Sequence, residues 1–433
     1  MKVLGIVVEY NPFHNGHIYH LEQSKAASGC DAVVCVMSGN FIQRGEPAFI
    51  NKFARAQAAL YNGADLVIEL PHPFAMSSAE YFAYGAVKIL DSIGIVDCIC
   101  FGSEHGKIDE LKLISDILSF EPESYKTELK KQLSLGLSFP VARQNAIKLY
   151  LQKELPERSK TATEDGSLSA ILPQLLETSN NILGIEYLKA LNKLGSPIKP
   201  MTIKRISNSY NNTELTGSIS SATAIRTSIL KGEGSGSNLT EESFISLPPA
   251  SSSIIEREFT EGRGPIGIKQ YEGMVLALLR KMTISDIREL PDVSEGLEYR
   301  IKNACESSGT IEELIENIAT KRYARTRIQR ILFSALTGVT KNDSQLFMRY
   351  GGPQYARILG FNQTGRVLLS RMKKTSIIPV IMKASDYKTS CNSLLTRMLD
   401  IEASSTDLYV LGYKNPAFRK AGQEFTQNIT IIK

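Results

Sequence analysis

No apolar run in the chain approaches the ~18 consecutive residues that a membrane-spanning helix needs. This excludes a helical membrane protein, so the chain is expected to be cytosolic and to have no membrane partner. Six cysteines, at positions 30, 35, 98, 100, 305 and 391, include no Cys-x-x-Cys pair, and most lie inside apolar, strand-like runs. Residues 3–8 are too few for the apolar core of a secretory leader, so a disulfide scaffold is not expected and a reducing compartment is. Neither sign of charge is in large excess: 50 basic against 45 acidic residues leave a formal net charge of +5. Any polyanionic partner must therefore be met by a local patch. Flexible-linker composition is confined to Gly232-Glu233-Gly234-Ser235-Gly236-Ser237-Asn238. Histidine is scarce, and all five of its occurrences, at 14, 17, 20, 72 and 105, fall in the first 105 residues.

With 433 residues, 42% of them apolar, the chain can bury a large core and is long enough for two or three domains. Its first 105 residues alternate short β-branched runs with helix-length stretches. The runs are Val3 to Val8, Asp31 to Met37, Ala64 to Leu70 and Asp97 to Phe101, with helical stretches around Phe53 to Tyr61 and Ala79 to Leu90. Such alternation predicts crossover units and an α/β, Rossmann-like, doubly wound parallel sheet. Ligands of such sheets bind beyond the carboxyl ends of the strands, which here read Glu9-Tyr10-Asn11, Ser38-Gly39-Asn40, Glu69-Leu70-Pro71 and Gly102-Ser103-Glu104. Residues 106–157 read as helical, 158–169 as a polar loop, and Asn180 to Leu194 as a helix. Ile198 to Arg205 reads as a further strand of the same sheet. The organisation expected is a catalytic domain over 1–231, a linker over 232–240, and a mainly helical domain with a few terminal strands over 241–433.

The stretch Gly5 to Leu21 organises the rest. The strand Val3 to Val8 is stopped by Asn11-Pro12, which cannot continue a central strand. His14 and His17 then lie three apart in the first turn of a helix, so both imidazoles project on one side. Gly16 leaves the backbone bare between them, and the first amides of a helix have no partner within it. Free N–H groups, the positive end of the helix dipole and two imidazoles together make an anion site. As alternatives, His14, His17 and His20 could share a metal ion, although no nearby Asp, Glu or Cys completes a ligand set, and His20, one turn further along, suits a structural role.

His-x-Gly-His directly after a first strand resembles the HIGH motif of the nucleotidyltransferase superfamily, which includes class I aminoacyl-tRNA synthetases and pantothenate synthetase. The resemblance implies attack on the α-phosphate of ATP with release of pyrophosphate. Fixed donors at His14 and His17 suit the charge that builds on the phosphate oxygens. Ser218-Ile219-Ser220-Ser221-Ala222-Thr223-Ala224-Ile225-Arg226 resembles the Ile-Ser-Ser-Thr-x-Ile-Arg segment that grips the β and γ phosphates in these enzymes; read alone, it is a helix N-cap. Lys281-Met282-Thr283-Ile284-Ser285 looks like a KMSKS loop, but Ile284 stands in place of the second lysine, and an ordinary helix start is expected there.

Beyond the linker composition, Lys321-Arg322-Tyr323-Ala324-Arg325-Thr326-Arg327-Ile328-Gln329-Arg330 carries five basic residues and no acid. On a helix, Ala324, Ile328, Ile331, Leu332 and Ala335 form one narrow apolar stripe, with most cations pointing away. Arg366, Arg371, Lys373 and Lys374 add a second basic stretch, and Tyr323, Tyr350, Tyr355 and Phe361 lie close by in sequence. Cations with aromatics suit looped or single-stranded RNA, whereas charge alone suits a solvated helix face.

Taken together, several segments resemble the bacterial tRNA(Met) cytidine acetate ligase family along almost the whole chain. They are Val8 to His17, Ser38-Gly39-Asn40-Phe41-Ile42-Gln43-Arg44-Gly45, Asp65 to Pro71, Asn180 to Gly184, Thr202 to Arg205, Ser221 to Arg226, and Lys321-Arg322-Tyr323 with Thr326-Arg327-Ile328. The resemblance implies activation of acetate by ATP, with magnesium accompanying it, as acetyl-adenylate. Transfer of the acetyl group to N4 of the wobble cytidine (C34) of elongator tRNA(Met) then gives N4-acetylcytidine. It implies catalytic roles for His14 and His17, and ATP contacts along Val7-Val8-Glu9-Tyr10-Asn11-Pro12-Phe13-His14-Asn15-Gly16-His17-Ile18-Tyr19-His20. Gly102, Asn180, Arg205, Ser221, Thr223 and Arg226 join them. Lys321, Arg322, Arg325, Arg327 and Arg330 are the expected tRNA contacts, and no protein metal site is expected. After Arg205, Ile206-Ser207-Asn208-Ser209-Tyr210-Asn211-Asn212 departs from the family in lacking a Gly and a His-Asp pair. Acetate needs one cation and a small apolar wall; Arg44, in the loop after the second strand, is the candidate cation, its alternative being a surface arginine. Two rival functions are a nucleotidyltransferase that adenylylates a small phosphorylated metabolite and a non-catalytic RNA-binding protein with a degenerate nucleotide fold. The first has no use for a basic helical region, and intact histidines argue against the second.

Overall fold

The computed structural model describes residues 1–154, 162–163, 166–205, 219–231, 244–387 and 391–433. They gather into two compact units, Met1–Val96 with Ser207–Lys433, and Asp97–Ile206. The linker expected at 232–240 and the divergent loop at 206–212 lie outside the described residues, as do parts of the loop expected at 158–169.

In the first unit, β1 (Val3–Val8), α1 (Asn15–Ser28), β2 (Ala32–Ser38), the hairpin strands β3 (Phe41–Ile42) and β4 (Glu46–Pro47), α2 (Lys52–Tyr61), β5 (Leu66–Leu70) and α3 (Ala79–Ser92) follow in order. β2 pairs in parallel with β1 and with β5, Cys35 lying opposite Ile6 and Val67. Every residue of β2 and β5 is buried, so both faces of these strands are covered; that is why they read as unbroken apolar runs. In the second unit, β6 (Cys98–Ser103) is followed by α4 (Ile108–Phe120), α5 (Glu123–Ser134), α6 (Phe139–Glu154), the short β7 (Ala162–Thr163) and β8 (Gly166–Ser167), α7 (Leu168–Glu177), α8 (Ser179–Leu194) and β9 (Lys199–Lys204). β9 runs parallel to β6 with Ile203 opposite Gly102, a crossover pair as the sequence predicts.

The first unit resumes with α9 (Ala222–Lys231), α10 (Pro249–Thr260), α11 (Glu272–Lys281), α12 (Leu297–Ser307), α13 (Ile311–Ile318), α14 (Arg325–Thr337), α15 (Lys341–Arg349), β10 (Ala356–Phe361), α16 (Gln363–Thr375), β11 (Val380–Ile381), α17 (Ser393–Tyr409) and β12 (Thr430–Ile431). β10 pairs antiparallel with β5, Arg357 opposite Glu69, and carries β11 and β12 in parallel on its other edge. The terminal strands thus extend the sheet begun by β1. Two expectations are corrected here. The run Ile377 to Ile381 is extended only at Val380–Ile381, and Asp407 to Leu411 is not a strand. Leu395, Met398, Leu399, Glu402, Thr406 and Tyr409 are buried at helical spacing, so Asp407 to Tyr409 complete α17 and Val410–Gly412 form a single 3-10 turn. The Lys281 to Ser285 segment is an ordinary helix start, with the Thr283 hydroxyl accepting from the Asp286 amide at 3.1 Å.

The helices after α10 share a core with the β3–β4 hairpin. The fully buried ring of Phe41 lies 5.3 Å from His72, 5.7 Å from Phe333 and 6.0 Å from Tyr409, centroid to centroid. A buried charge network joins the same parts. Lys52 Nζ lies 2.7 Å from Glu69, 3.1 Å from Glu402 and 2.5 Å from Glu424, and all four side chains are sealed from water. Burial alone would lower the Lys52 pKa, but Glu402, Glu424 and Glu69 outweigh it, so the ammonium stays charged. Burial, followed by the nearby Glu402, drives the Glu69 carboxyl well above its ordinary value, opposed by Lys52.

Lys52→Met would strand buried carboxylates without a cation, and a loss of about 3–5 kcal/mol is expected in denaturant unfolding. His72 adds a pH dependence: burial pushes its pKa from 6.5 down to about 4. The folded chain therefore binds fewer protons there than the unfolded one. The stability His72 contributes is complete above pH 6.5 and is lost as pH falls toward 4, up to about 3 kcal/mol. His72→Gln should flatten the fall in melting temperature across that window.

Candidate active site

The site of the first unit is built where β1 ends. Tyr10 takes a left-handed conformation, φ +47°, which a residue with a side chain rarely adopts. The strain turns the chain sharply into Asn11. The Tyr10 and Phe13 rings, 4.5 Å apart, are buried beneath the turn and brace it, Tyr10 meeting His17 edge-on at 4.8 Å.

His14 caps α1. Its Nδ1 accepts from the Gly16 amide at 3.1 Å, and the Nδ1 of His17 accepts from the His14 amide at 3.2 Å. The two rings stack at 3.7 Å. A ring nitrogen that accepts carries no proton, so in the neutral form of either ring the proton sits on Nε2. The expectation of bare amides is corrected: Gly16 is bonded as above, Asn15 N–H donates to Ser246 O at 3.0 Å, and His17 N–H to His14 O at 2.8 Å. The backbone amides of this turn are therefore already engaged. Gly16 is needed for a different reason from the one expected, because a Cβ there would sit 2.9 Å from the His14 ring.

A segment 200 residues away completes the turn. Arg226, on α9, donates from Nη1 to the Asn11 carbonyl at 2.7 Å and reaches Glu46 from Nη2 at 3.4 Å. Ser221 caps α9, its hydroxyl accepting from the Ala224 amide at 3.0 Å, and Thr223 is half-buried in the first turn. A Cβ built at Gly16 would lie 3.7 Å from the Ile219 side chain, so the approach to α9 passes close to this turn. Asn11 accepts from Phe49 N–H at 2.7 Å, while its buried Nδ2 has no hydrogen-bond partner among the described residues. Of the expected ATP contacts, Asn11, His14, His17, Ser221 and Arg226 thus come together. Val8, Tyr10, Pro12 and Phe13 are buried supports, while Val7, Glu9, Asn15, Ile18, Tyr19 and His20 are half-buried around them.

Arg55 is a site-building residue that sequence reasoning missed. Fully buried, it donates to the Glu9 carbonyl at 2.6 Å, the Ser38 carbonyl at 3.1 Å, the Ile50 carbonyl at 3.2 Å, and the Gly39 carbonyl. It ties the carboxyl ends of β1 and β2 together, and burial lowers its pKa to about 10. A lone arginine within an apolar helical run, between Phe53 and Leu60, is the one signal the sequence offers. Burial raises the Glu9 carboxyl, opposed by the Gln43 N–H, Arg55 and Arg44. Arg44, half-buried at the tip of the β3–β4 hairpin, thus directs its charge toward the end of β1.

In the second unit, Gly102, Asn180 and Arg205 gather at the carboxyl ends of β6 and β9. Arg205 Nη1 donates to Asn180 Oδ1 at 3.4 Å. Glu104 accepts from Asn180 Nδ2 at 2.7 Å and from the Asn181 amide at 2.9 Å. A carboxylate therefore already occupies the start of α8, which the sequence did not reveal.

The basic segment differs from the single helix expected. Lys321 to Tyr323 form a bend, and α14 begins at Arg325. Each arginine meets acidic or carbonyl oxygens of neighbouring turns. Arg322 pairs with Glu295 and Arg325 with Glu312. Arg327 donates to the Asp292 carbonyl at 2.7 Å and Arg330 to the Asp292 carboxylate at 2.9 Å. Arg322 and Arg325 stay 66% and 43% exposed. The aromatics expected to stack on bases are mostly buried: Tyr323 lies under Arg327 at 5.2 Å, and Tyr355 and Phe361 are in the core, leaving Tyr350 exposed.

A profile of HIGH nucleotidyl transferases matches residues 1–424. The tRNA(Met) cytidine acetate ligase of Acetivibrio thermocellus is 55% identical over 432 residues, covering all of both chains. That of Thermoanaerobacter sp. strain X514 is 44% identical over 425 residues, 98% of each. The crystal structure of Thermotoga maritima TmcAL bound with alpha-thio ATP superposes with a TM-score of 0.90 at 36% identity, covering 100% of this chain and 99% of that one. Its apo form gives 0.92 at 36% identity, covering all of both chains.

Proposed function

The chain belongs to the tRNA(Met) cytidine acetate ligase family of HIGH nucleotidyltransferases, and we propose that the turn after β1 is where its ATP is activated. The protein is an ATP-dependent ligase acting on tRNA(Met). An acetate oxygen attacks the α-phosphorus of MgATP, the bond to the β-phosphate oxygen breaks, and pyrophosphate leaves. The cytidine N4 then attacks the acetyl carbonyl, AMP leaves, and N4 loses a proton, giving N4-acetylcytidine at the wobble position of elongator tRNA(Met). Magnesium enters as part of the nucleotide substrate, and a tRNA substrate supports a cytosolic enzyme.

One observation carries this reading: Arg226 reaches the Asn11 carbonyl, in the turn that leads into His14 and His17, from 215 residues away in the chain. Imidazole Nε2–H groups stabilise charge building on the α-phosphate, and Arg226 with the start of α9 takes the departing β and γ phosphates. Asn11 Nδ2, a buried donor at the same turn, suits a further phosphate oxygen. Gly102, Asn180 and Arg205 are assigned to the rest of the nucleotide, and Arg44 to the acetate carboxylate. Transfer itself needs chiefly proximity between the base and the mixed anhydride.

Residues 241–433 supply the RNA contacts, through Lys321, Arg322, Arg325, Arg327 and Arg330. The acids that hold these arginines keep them extended and ordered until phosphates displace them.

Protein, ATP, labelled acetate and bulk tRNA should yield acid-stable label in tRNA(Met). Pyrophosphate released with a phosphorylated metabolite and no tRNA would favour a metabolite adenylyltransferase instead, and tRNA binding without label a mere RNA-binding protein. His17→Ala should abolish acetate-dependent ATP–pyrophosphate exchange with tRNA affinity within a few-fold of the parent; full exchange would count against its role. Replacing Arg322, Arg325 and Arg327 together by Ala should weaken tRNA binding and flatten its salt dependence by up to about 0.7–0.9 in slope per lost phosphate contact. Unchanged modification at high salt would mark the segment as a solvated face.

A further inference from the structure

We propose that Glu46 is a positioning residue for Arg226, setting the guanidinium against the departing phosphates; the inference rests on the phosphate role given to Arg226 above. Arg226 is 16% exposed and held from two sides, by the Asn11 carbonyl at 2.7 Å and by Glu46 Oε1 at 3.4 Å. A guanidinium has five N–H donors in a fixed plane, so these two contacts set its orientation and, among the described residues, leave three for phosphate oxygens.

Glu46 can act as the fixed partner because its hairpin is anchored on every side. Phe41 and Ile42 pair with Pro47 and Glu46 across the hairpin, and Phe41 is locked in the aromatic core. At the tip, Gly45 has φ +76°, and a Cβ there would lie 2.2 Å from the backbone nitrogen of Arg330, so the hairpin rests directly on the main chain of α14. On the other flank the Gln43 amide donates to Glu9 at 2.8 Å, tying the hairpin to the end of β1. The carboxylate is therefore built into a frame shared by β1 and the basic helix, and Arg226 comes to it.

A carboxylate beside a triphosphate repels it. Charge alone would favour its loss, so its presence here makes sense through geometry: a weaker ground-state grip in exchange for an arginine aimed at the leaving group. This separates two kinetic constants. An interaction used in the transition state moves kcat, whereas a repulsion felt by bound ATP moves KM.

The experiment is acetate-dependent ATP–pyrophosphate exchange by the full-length protein carrying Glu46→Gln, Glu46→Asp, Arg226→Lys, and Glu46→Gln with Arg226→Lys. Glu46→Gln keeps the shape and should fold; its expected result is a fall in kcat of about tenfold with KM for ATP unchanged or lower. Glu46→Asp should recover part of the lost kcat. In the Arg226→Lys background, Glu46→Gln should cost at most about twofold, because the two residues act as one unit. Equal losses from Glu46→Gln in both backgrounds, parental kcat in Glu46→Gln, or a raised KM with kcat intact would each overturn the inference. Arg226→Lys exchanging at the parental rate would overturn the phosphate role itself, and is read from that variant alone.

Discussion

Four backbone carbonyls converge on one buried guanidinium, that of Arg55, and the site depends on that convergence. Carbonyls at the ends of β1 and β2 and in the loops beyond them have no strand partner, and a buried carbonyl without a donor costs about 1–3 kcal/mol. Arg55 answers those of Glu9, Ser38, Gly39 and Ile50 at once. The chain can then leave the sheet abruptly, through a left-handed Tyr10, and still present Asn11, His14 and His17 in fixed positions. The histidines satisfy the start of α1 themselves, His14 through the Gly16 amide and His17 through the His14 amide.

The same economy runs through the β3–β4 hairpin. Seven residues, Phe41 to Pro47, reach the aromatic core through Phe41, the end of β1 through Gln43, α14 through Gly45 and α9 through Glu46. What divides the chain in sequence, a nucleotide-binding part and a helical part, is joined in space by this hairpin and by Lys52 with its carboxylates. Arg322, in the bend before α14, and Arg325 and Arg330, on the helix, are likewise paired, with Glu295, Glu312 and Asp292.

Much of this was legible in the sequence, for physical reasons. Buried parallel strands must be apolar throughout, so β1, β2, β5 and β6 announce themselves, and a proline after a strand with histidines three apart marks a turn into a helix. Arg226 could be grouped with His14 only because Ser218 to Arg226 resembles a phosphate-gripping segment of nucleotidyltransferases; read alone, that pattern is a helix N-cap. What stayed hidden depended on partners distant in sequence. Arg55, Lys52 and Glu46 look like ordinary polar residues until carbonyls and carboxylates from elsewhere close on them. Gly16 was read as bare backbone, whereas the fold uses it to seat a ring. Asp407 to Leu411 looked like a strand because five residues show no period; the seam from Leu395 to Tyr409 shows one.

The antiparallel seat of β10 on β5 also bears on how the chain is made. Leu70 and Phe361 lie roughly 290 residues apart, so a ribosome adding about 5–20 residues per second leaves that flank of the nascent sheet uncovered for about 15–60 seconds. An uncovered, apolar strand flank is a template for pairing with another chain. Yield in the cell should therefore be governed less by the finished molecule than by whatever shields β5 while its partner is still being translated.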